Sequence, residues 1–324
     1  MKYFVTGATG FVGGSLVKQL KAAGHEVVAV VRNPEKAGHL KAQGITLVKG
    51  DVTDKESMRA PMTGVDGVCH VAGWYKVGVR DKTPGYQINV LGTRNVLELM
   101  RELHIPKGVY TSTLAVNSDT HGQIVNEDYH FNGTHISEYD KTKAEAHEIA
   151  LQFIREGLPL VVVMPGLIYG PDGTSMSDDA LRQFLQGKLP MIPSQSAYCW
   201  AHVDDIAQAH ILAMDKAQPG SKYIIAGPPH TFSEGLSIAS RITGKRKPMV
   251  VPPVMLRITG FFTSLIAPFV NLPEMYHPEA LRVQAGVTYL GDNSRAKQDL
   301  GYHPRPLEEG LKQTFAYELK KMGK

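Results

Sequence analysis

Tyr139 and Lys143 stand four residues apart in "EYDKTKAEAHEIA", residues 138–150. On a helix that spacing puts both side chains on one face, a turn apart. A free phenol has a pKa near ~10, too high for a base at neutral pH. A neighbouring ammonium favours the phenolate and lowers that value. The pair is therefore suited to acid–base chemistry, with Lys141 on a different face. Taken alone, the same pattern also describes two exposed side chains, so the surrounding sequence has to decide.

The strongest context lies at the start. "TGATGFVG" places Gly7, Gly10 and Gly13 between an apolar run and a helical one. Glycines permit a tight turn and let backbone N–H groups and a helix N-terminus approach a pyrophosphate. The turn residues Gly7, Thr9, Gly10, Phe11, Val12 and Gly13 are the expected dinucleotide cradle. At the end of the second apolar run, an acid would hold an adenosine ribose hydroxyl. The chain instead reads "VVRNPEK", with Arg32 at that point. A guanidinium suits a 2′-phosphate, so NADP(H) is favoured over NAD(H). The alternative is an Arg32 that points to solvent. In "GDVTD", Asp51 and Val52 are placed for the adenine edge, and Asp54 equally suits an N-cap.

These residues need a scaffold. "KYFVT", "HEVVAVV", "ITLVKGDV", "GVCHVAG", "KGVYTST" and "PLVVVMP" read as buried strands. Amphipathic helical stretches alternate with them, which predicts an α/β fold with a doubly wound, Rossmann-type parallel sheet. After Pro165 the rhythm breaks into Pro- and Gly-rich turns. "HVDDIAQAHILAM" is a helix whose Asp204 and Asp205 suit its N-terminal dipole, and "KYIIAG" is expected to be the last strand. A dinucleotide-binding domain is expected over residues 1–164 plus about 203–227. A smaller, discontinuous mixed α/β substrate domain is expected over 165–202 plus 228–324.

The glycine loop, "GDVTD", "HVAG", "YTST", "YDKTK", "PGLIYGP" and "HVDDIAQAH" occur in this order. Together they resemble the extended branch of the short-chain dehydrogenase/reductase family, which includes dihydroflavonol reductases and nucleotide-sugar epimerases. The resemblance implies that Tyr139 is the general acid/base and that Lys143 also bonds the nicotinamide ribose. It also implies a hydroxyl from "YTSTLAV" on the substrate oxygen, at Thr113, with Ser112 as the alternative on the other face of the strand. It adds Ala72 and Pro165 to the cofactor contacts. Gly73 is read as a close approach to the cofactor, His70 as packing, and Asn89 as a structural hydrogen-bonder.

The pattern departs from the family in two places. Dehydratases of this branch follow the threonine with Asp-Glu, whereas this chain has Leu114 and Ala115. Nucleotide-sugar enzymes often carry Arg-Asp-aromatic before "HVDD"; here Tyr198, Cys199 and Trp200 precede it. The first argues against a dehydratase of that type, and the second favours a smaller, less charged substrate. Trp74, Tyr75, Tyr169, Trp200 and the Phe261–Phe262 region are candidates for an apolar pocket, with core packing as the alternative for each. The expected activity is reduction of a carbonyl, aldehyde, ketone or dihydroflavonol-like, by an NADP(H)-dependent oxidoreductase. The alternatives are a sugar or nucleotide-sugar epimerase with tightly bound cofactor, and a dinucleotide sensor without turnover.

Composition narrows the rest. The 324 residues are 43% hydrophobic and 20% charged, with a formal charge of +4. No basic arm suggests nucleic acid, and "KRK" at 245–247 reads as a solvated turn. Thirteen histidines form no metal-ligand spacing. Cys69 and Cys199 read as buried thiols, and no signal peptide opens the chain, so a cytoplasmic setting is expected. The apolar stretch 254–272 reads as a buried or groove-lining helix, with membrane-surface contact the lesser reading. A homodimer is expected from the resemblance alone.

Overall fold

The apolar runs become strands in the computed structural model, which describes residues 1–270 and 272–323. In chain order these are β1 (Lys2–Thr6), β2 (Glu26–Val31), β3 (Thr46–Lys49), β4 (Gly67–His70), β5 (Gly108–Thr111) and β6 (Leu160–Pro165). Then follow β7 (Leu167–Tyr169), β8 (Met191–Pro193), β9 (Ala197–His202), β10 (Lys222–Ile225), β11 (Pro229–Thr231), β12 (Met249–Val251) and β13 (Thr288–Tyr289). Seven of them form one parallel sheet in the order β10-β6-β5-β4-β1-β2-β3.

Side-chain alternation builds a core on each face of this sheet. Val161 and Val163 of β6 face one way, with Leu16, Val17 and Leu20 of the helix Phe11–Ala22 and with Ile206 of the helix Val203–Lys216. Leu160, Val162 and Met164 face the other way, with Leu97 of the helix Gly92–Glu102 and Phe153 of the helix Glu138–Arg155. Each fully buried Leu or Val contributes roughly 1.5–3 kcal/mol, so the two layers lock the sheet between helices. Between β1 and β4 the winding reverses, and the crevice above the strand ends there is the usual ligand position in such sheets.

A second layer follows β6. β9 is central to a small mixed sheet, antiparallel to β11 and parallel to β13 and β7, while β8 pairs with β12. Its own core holds Tyr169, Trp200, Phe232 and Phe315. "KYIIAG" is thus the edge strand of the main sheet but not the last strand. The later ones are only two or three residues long and carry no legible period.

Two further expectations change. Tyr169 and Trp200 are almost fully buried and meet edge to face, with ring centroids 5.8 Å apart, so they are core residues. Tyr75 and the Phe261–Phe262 pair are exposed. The aromatic set therefore does not converge on one pocket. The helix Pro253–Ile266 is not buried: of its described residues only Pro253 and Gly260 are. Asn271 lies outside the described residues.

Candidate active site

The first turn is built by collision. Gly7, at φ +75°, leaves β1 so close to the chain after β4 that a Cβ there would lie 2.6 Å from the Ala72 backbone nitrogen. A Cβ on Gly13 would strike the Gly7 carbonyl. Gly10 is the N-cap of the helix Phe11–Ala22, with no capping side chain and no acid in the first turn. The leading N–H groups of that helix are thus left for an anion. Thr9 and Gly10 are exposed, and Phe11 and Val12 are half-buried. Phe11 stands against Gly170, bringing "PGLIYGP" to the loop.

The other cofactor candidates surround this turn. Arg32 is exposed at the end of β2, and among the described residues no ion pair engages it. The Asp51 carboxylate accepts from the Thr53 N–H and hydroxyl, both at 2.9 Å. Val52 is buried against Gly92. Asp54 caps the helix Lys55–Met62 through the Ser57 N–H. Pro165 ends β6, buried and paired with Ile225.

Thr6, which the motif reading missed, organises the approach of β4. Its hydroxyl oxygen accepts from the Val71 and Ala72 N–H groups, both at 3.1 Å, and meets His70 Nδ1 at 2.7 Å. His70 Nε2 meets the Thr93 hydroxyl at 3.0 Å, and burial pushes this imidazole down to about 3. His70 is therefore a neutral packing group, as expected. The signal for Thr6 was its place as the last strand residue before Gly7.

Beyond Ala72 the chain reaches Gly73, where a Cβ would be 4.0 Å from Lys143 Nζ. Lys143 is buried; its ammonium donates to the Thr111 carbonyl at 2.8 Å and to the Tyr110 hydroxyl at 3.4 Å. Burial pushes it down to about 7. Tyr139 is half-buried one turn earlier. Burial pushes its phenol up to about 12, the Thr113 hydroxyl beside it pulls it back, and the Asp140 charge raises it. The phenol thus moves opposite to the expected direction, because lost hydration outweighs the help of nearby groups.

Thr113 is buried and caps the 3₁₀ turn Leu114–Asn117, accepting from the Ala115 N–H at 3.2 Å. Ser112 points the other way, its hydroxyl 2.7 Å from His147 Nδ1. Asn89 sits in a π-helical turn, Tyr86–Leu91. It accepts from the Trp74 N–H at 2.7 Å and donates to the Trp74 carbonyl at 3.0 Å and to the Thr142 hydroxyl at 3.0 Å. Asp140, behind Tyr139, accepts from Ser137 at 2.8 Å and Tyr289 at 3.0 Å, and burial pushes it up to about 7.

The wall next to Tyr139 is apolar but comes from unexpected residues. Ala115, Val283, Val287 and Tyr289 are buried there, with Val77, Ile136 and Tyr198 packed against them. Tyr198 stacks on Tyr289 with ring centroids 5.9 Å apart. These groups offer no cation for a diphosphate. The glycine cradle, the open helix N-terminus and the exposed Gly73 together fit a nicotinamide dinucleotide.

Known proteins agree with this geometry. The family model for the NAD dependent epimerase/dehydratase family matches residues 3–226. The chain is 30% identical to a provisionally named dihydroflavonol 4-reductase of Synechocystis sp., over 95% of this chain and 92% of that one. It is also 30% identical to a 2-alkyl-3-oxoalkanoate reductase of Shewanella oneidensis, over 97% of this chain and 85% of that one. The crystal structure of gox2253 superimposes with a TM-score of 0.85 at 26% identity, covering 99% and 98% of the two chains. A dinucleotide turn at the switch point of a parallel sheet, in a chain so matched along its length, identifies this protein as an enzyme of the NAD-dependent epimerase/dehydratase family.

Proposed function

We propose that this enzyme reduces an apolar aldehyde or ketone, dihydroflavonol-like in kind, with NADP(H), through Thr113, Tyr139 and Lys143. The observation that carries the reading is the placement of a protonated Tyr139 phenol beside the Thr113 hydroxyl, against the apolar wall of Val283, Val287 and Tyr289. The reductase names of both relatives support it.

A dinucleotide bound on the glycine loop supplies hydride and ribose hydroxyls. Tyr139, held protonated at neutral pH, donates its proton to the carbonyl oxygen as negative charge grows there. Thr113 donates a hydrogen bond to the same oxygen and fixes its direction. Lys143, oriented by the Thr111 carbonyl, supplies the positive charge that steadies the phenolate left behind. Net reduction is favoured over an epimerase cycle by the reductase names of the two relatives and by the lack of a cation for a diphosphate in the apolar wall. Arg32, standing where an acid would hold the ribose hydroxyl, supports NADP(H) over NAD(H).

The test is stoichiometry against a panel of aryl and alkyl ketones. One alcohol formed per NADPH consumed supports the proposal. A sugar inverted at one carbon with no net consumption of cofactor overturns it. Arg32→Ser is expected to raise KM for NADPH roughly tenfold or more, the worth of a lost charge-assisted bond, and to leave KM for NADH nearly unchanged. Equal effects on both cofactors would remove Arg32 from the account.

A further inference from the structure

The helix Pro253–Ile266 turns its large apolar side chains outward. Met255, Ile258, Phe261, Phe262 and Leu265 are more than half exposed, and Phe269 just beyond the helix is 87% exposed. The inward side is small: Gly260 faces Leu281 of the helix Pro278–Gln284. Monomeric soluble proteins rarely show so large a contiguous apolar face without a use for it.

The polar groups of this helix are already satisfied. Thr259 donates to the Met255 carbonyl at 2.9 Å, Thr263 to the Gly260 carbonyl at 3.2 Å and Ser264 to the Phe261 carbonyl at 2.6 Å. A helix whose hydroxyls bond its own backbone loses little on entering an apolar medium. The charges on the chain segment that carries it are of one sign. Between Glu234 and Glu274 the charged residues are Arg241, Lys245, Arg246, Lys247 and Arg257. Arg241 meets Glu308 at 3.7 Å, and among the described residues no ion pair engages the other four. Lys245–Lys247 lead through β12, itself bearing exposed Met249 and Val250, directly into the helix.

We propose that this face docks on an anionic phospholipid surface, with the helix lying in the headgroup boundary and Lys245–Lys247 meeting lipid phosphates. Apolar burial and basic attraction together are what interfacial helices require. No helix among the described residues is long and apolar enough to cross a membrane, so the contact is with the surface. A second copy of the chain fits less well, because it brings the same five cations, and the exposed carboxylate nearest in the chain, Glu274, already faces Lys76 at 4.0 Å. The helix beneath the docked face reaches the site. Glu279, on the helix beneath, accepts from the Glu138 N–H at 2.6 Å, next to Tyr139, and from the Gly78 N–H at 3.2 Å. The proposal is independent of the reaction assigned to that site.

Co-sedimentation with phosphatidylcholine vesicles, with and without phosphatidylglycerol, tests it. The full chain is expected to bind the anionic vesicles at low salt and to be released at high salt. Lys245→Gln/Arg246→Gln/Lys247→Gln should weaken partitioning about a hundredfold. Phe261→Ser/Phe262→Ser should weaken it at least about tenfold. Circular dichroism of both variants should match the parent, since the exchanged side chains lie outside the core. Absence of binding to anionic vesicles at low salt overturns the proposal. So does unchanged binding by the phenylalanine variant. A concentration-dependent dimer that this variant dissociates, with no vesicle binding, overturns it in favour of a second copy.

Discussion

Lys143 sits in the interior with a carbonyl and a hydroxyl for partners and, among the described residues, no carboxylate. Its folded pKa of about 7 lies below the ~10.4 of an unfolded lysine. Between those values the unfolded chain binds a proton that the folded chain does not. Stability therefore rises with pH across that window, and the penalty is full below pH about 7. Lys143→Met is expected to raise stability by roughly 1 kcal/mol or more near pH 7 and to abolish turnover. The gain should shrink as pH approaches 10, and thermal melts at several pH values check this. The Tyr139–Lys143 pair was legible because its spacing is local. The upward shift of the phenol was not, because it depends on burial by Val283, Val287 and Tyr289, far along the chain. The Asp140 partners Ser118 and Tyr289 are hidden for the same reason.

At the scale of elements, the site depends on how one loop is pinned to one helix. Asn89 holds both backbone groups of Trp74 and the hydroxyl of Thr142, on the helix that carries Tyr139. Asn89→Ala leaves these groups without their partner and should cost about 1–3 kcal/mol. Because Gly73 precedes the clamped residue and stands next to Lys143, kcat should fall along with the melting temperature. A normal kcat in a destabilised variant would limit Asn89 to folding. The residue was read correctly as a structural hydrogen-bonder, since an asparagine inside a helical pattern asks for a partner. Its partner and the π-helical turn that aims it follow from packing, and no local period announces them.

For the whole molecule, the parallel sheet could be read strand by strand, because each strand is a continuous apolar run between turn residues. The second layer could not. Its strands are very short, and pairs such as β13 with β9 join segments nearly ninety residues apart. We propose that residues 165–202 and 228–324 supply the substrate side, as their motifs suggest. The tail is also tied back to the sheet. Ala296, Leu300 and Tyr302 enter the core shared with β1, and Arg305 holds Asp205 through Nη2 at 2.6 Å and Nε at 3.0 Å. Asp205 was read only as a dipole partner, since nothing near it reveals an arginine a hundred residues away. Arg305→Ala takes the cation from that largely buried carboxylate, leaving it the residue 305 N–H at 2.9 Å, and should cost about 3 kcal/mol. Urea unfolding should show a lower midpoint, with the remaining native enzyme still active.

The central claim is that Tyr139 gives a proton to a carbonyl oxygen. The most direct measurement is single-turnover oxidation of bound NADPH by a ketone, comparing the parent with Tyr139→Phe. The expected result is a loss of about a thousandfold in rate, within the usual range for a general acid, with NADPH affinity unchanged. A phenylalanine variant that turns over within a few-fold of the parent would contradict the account.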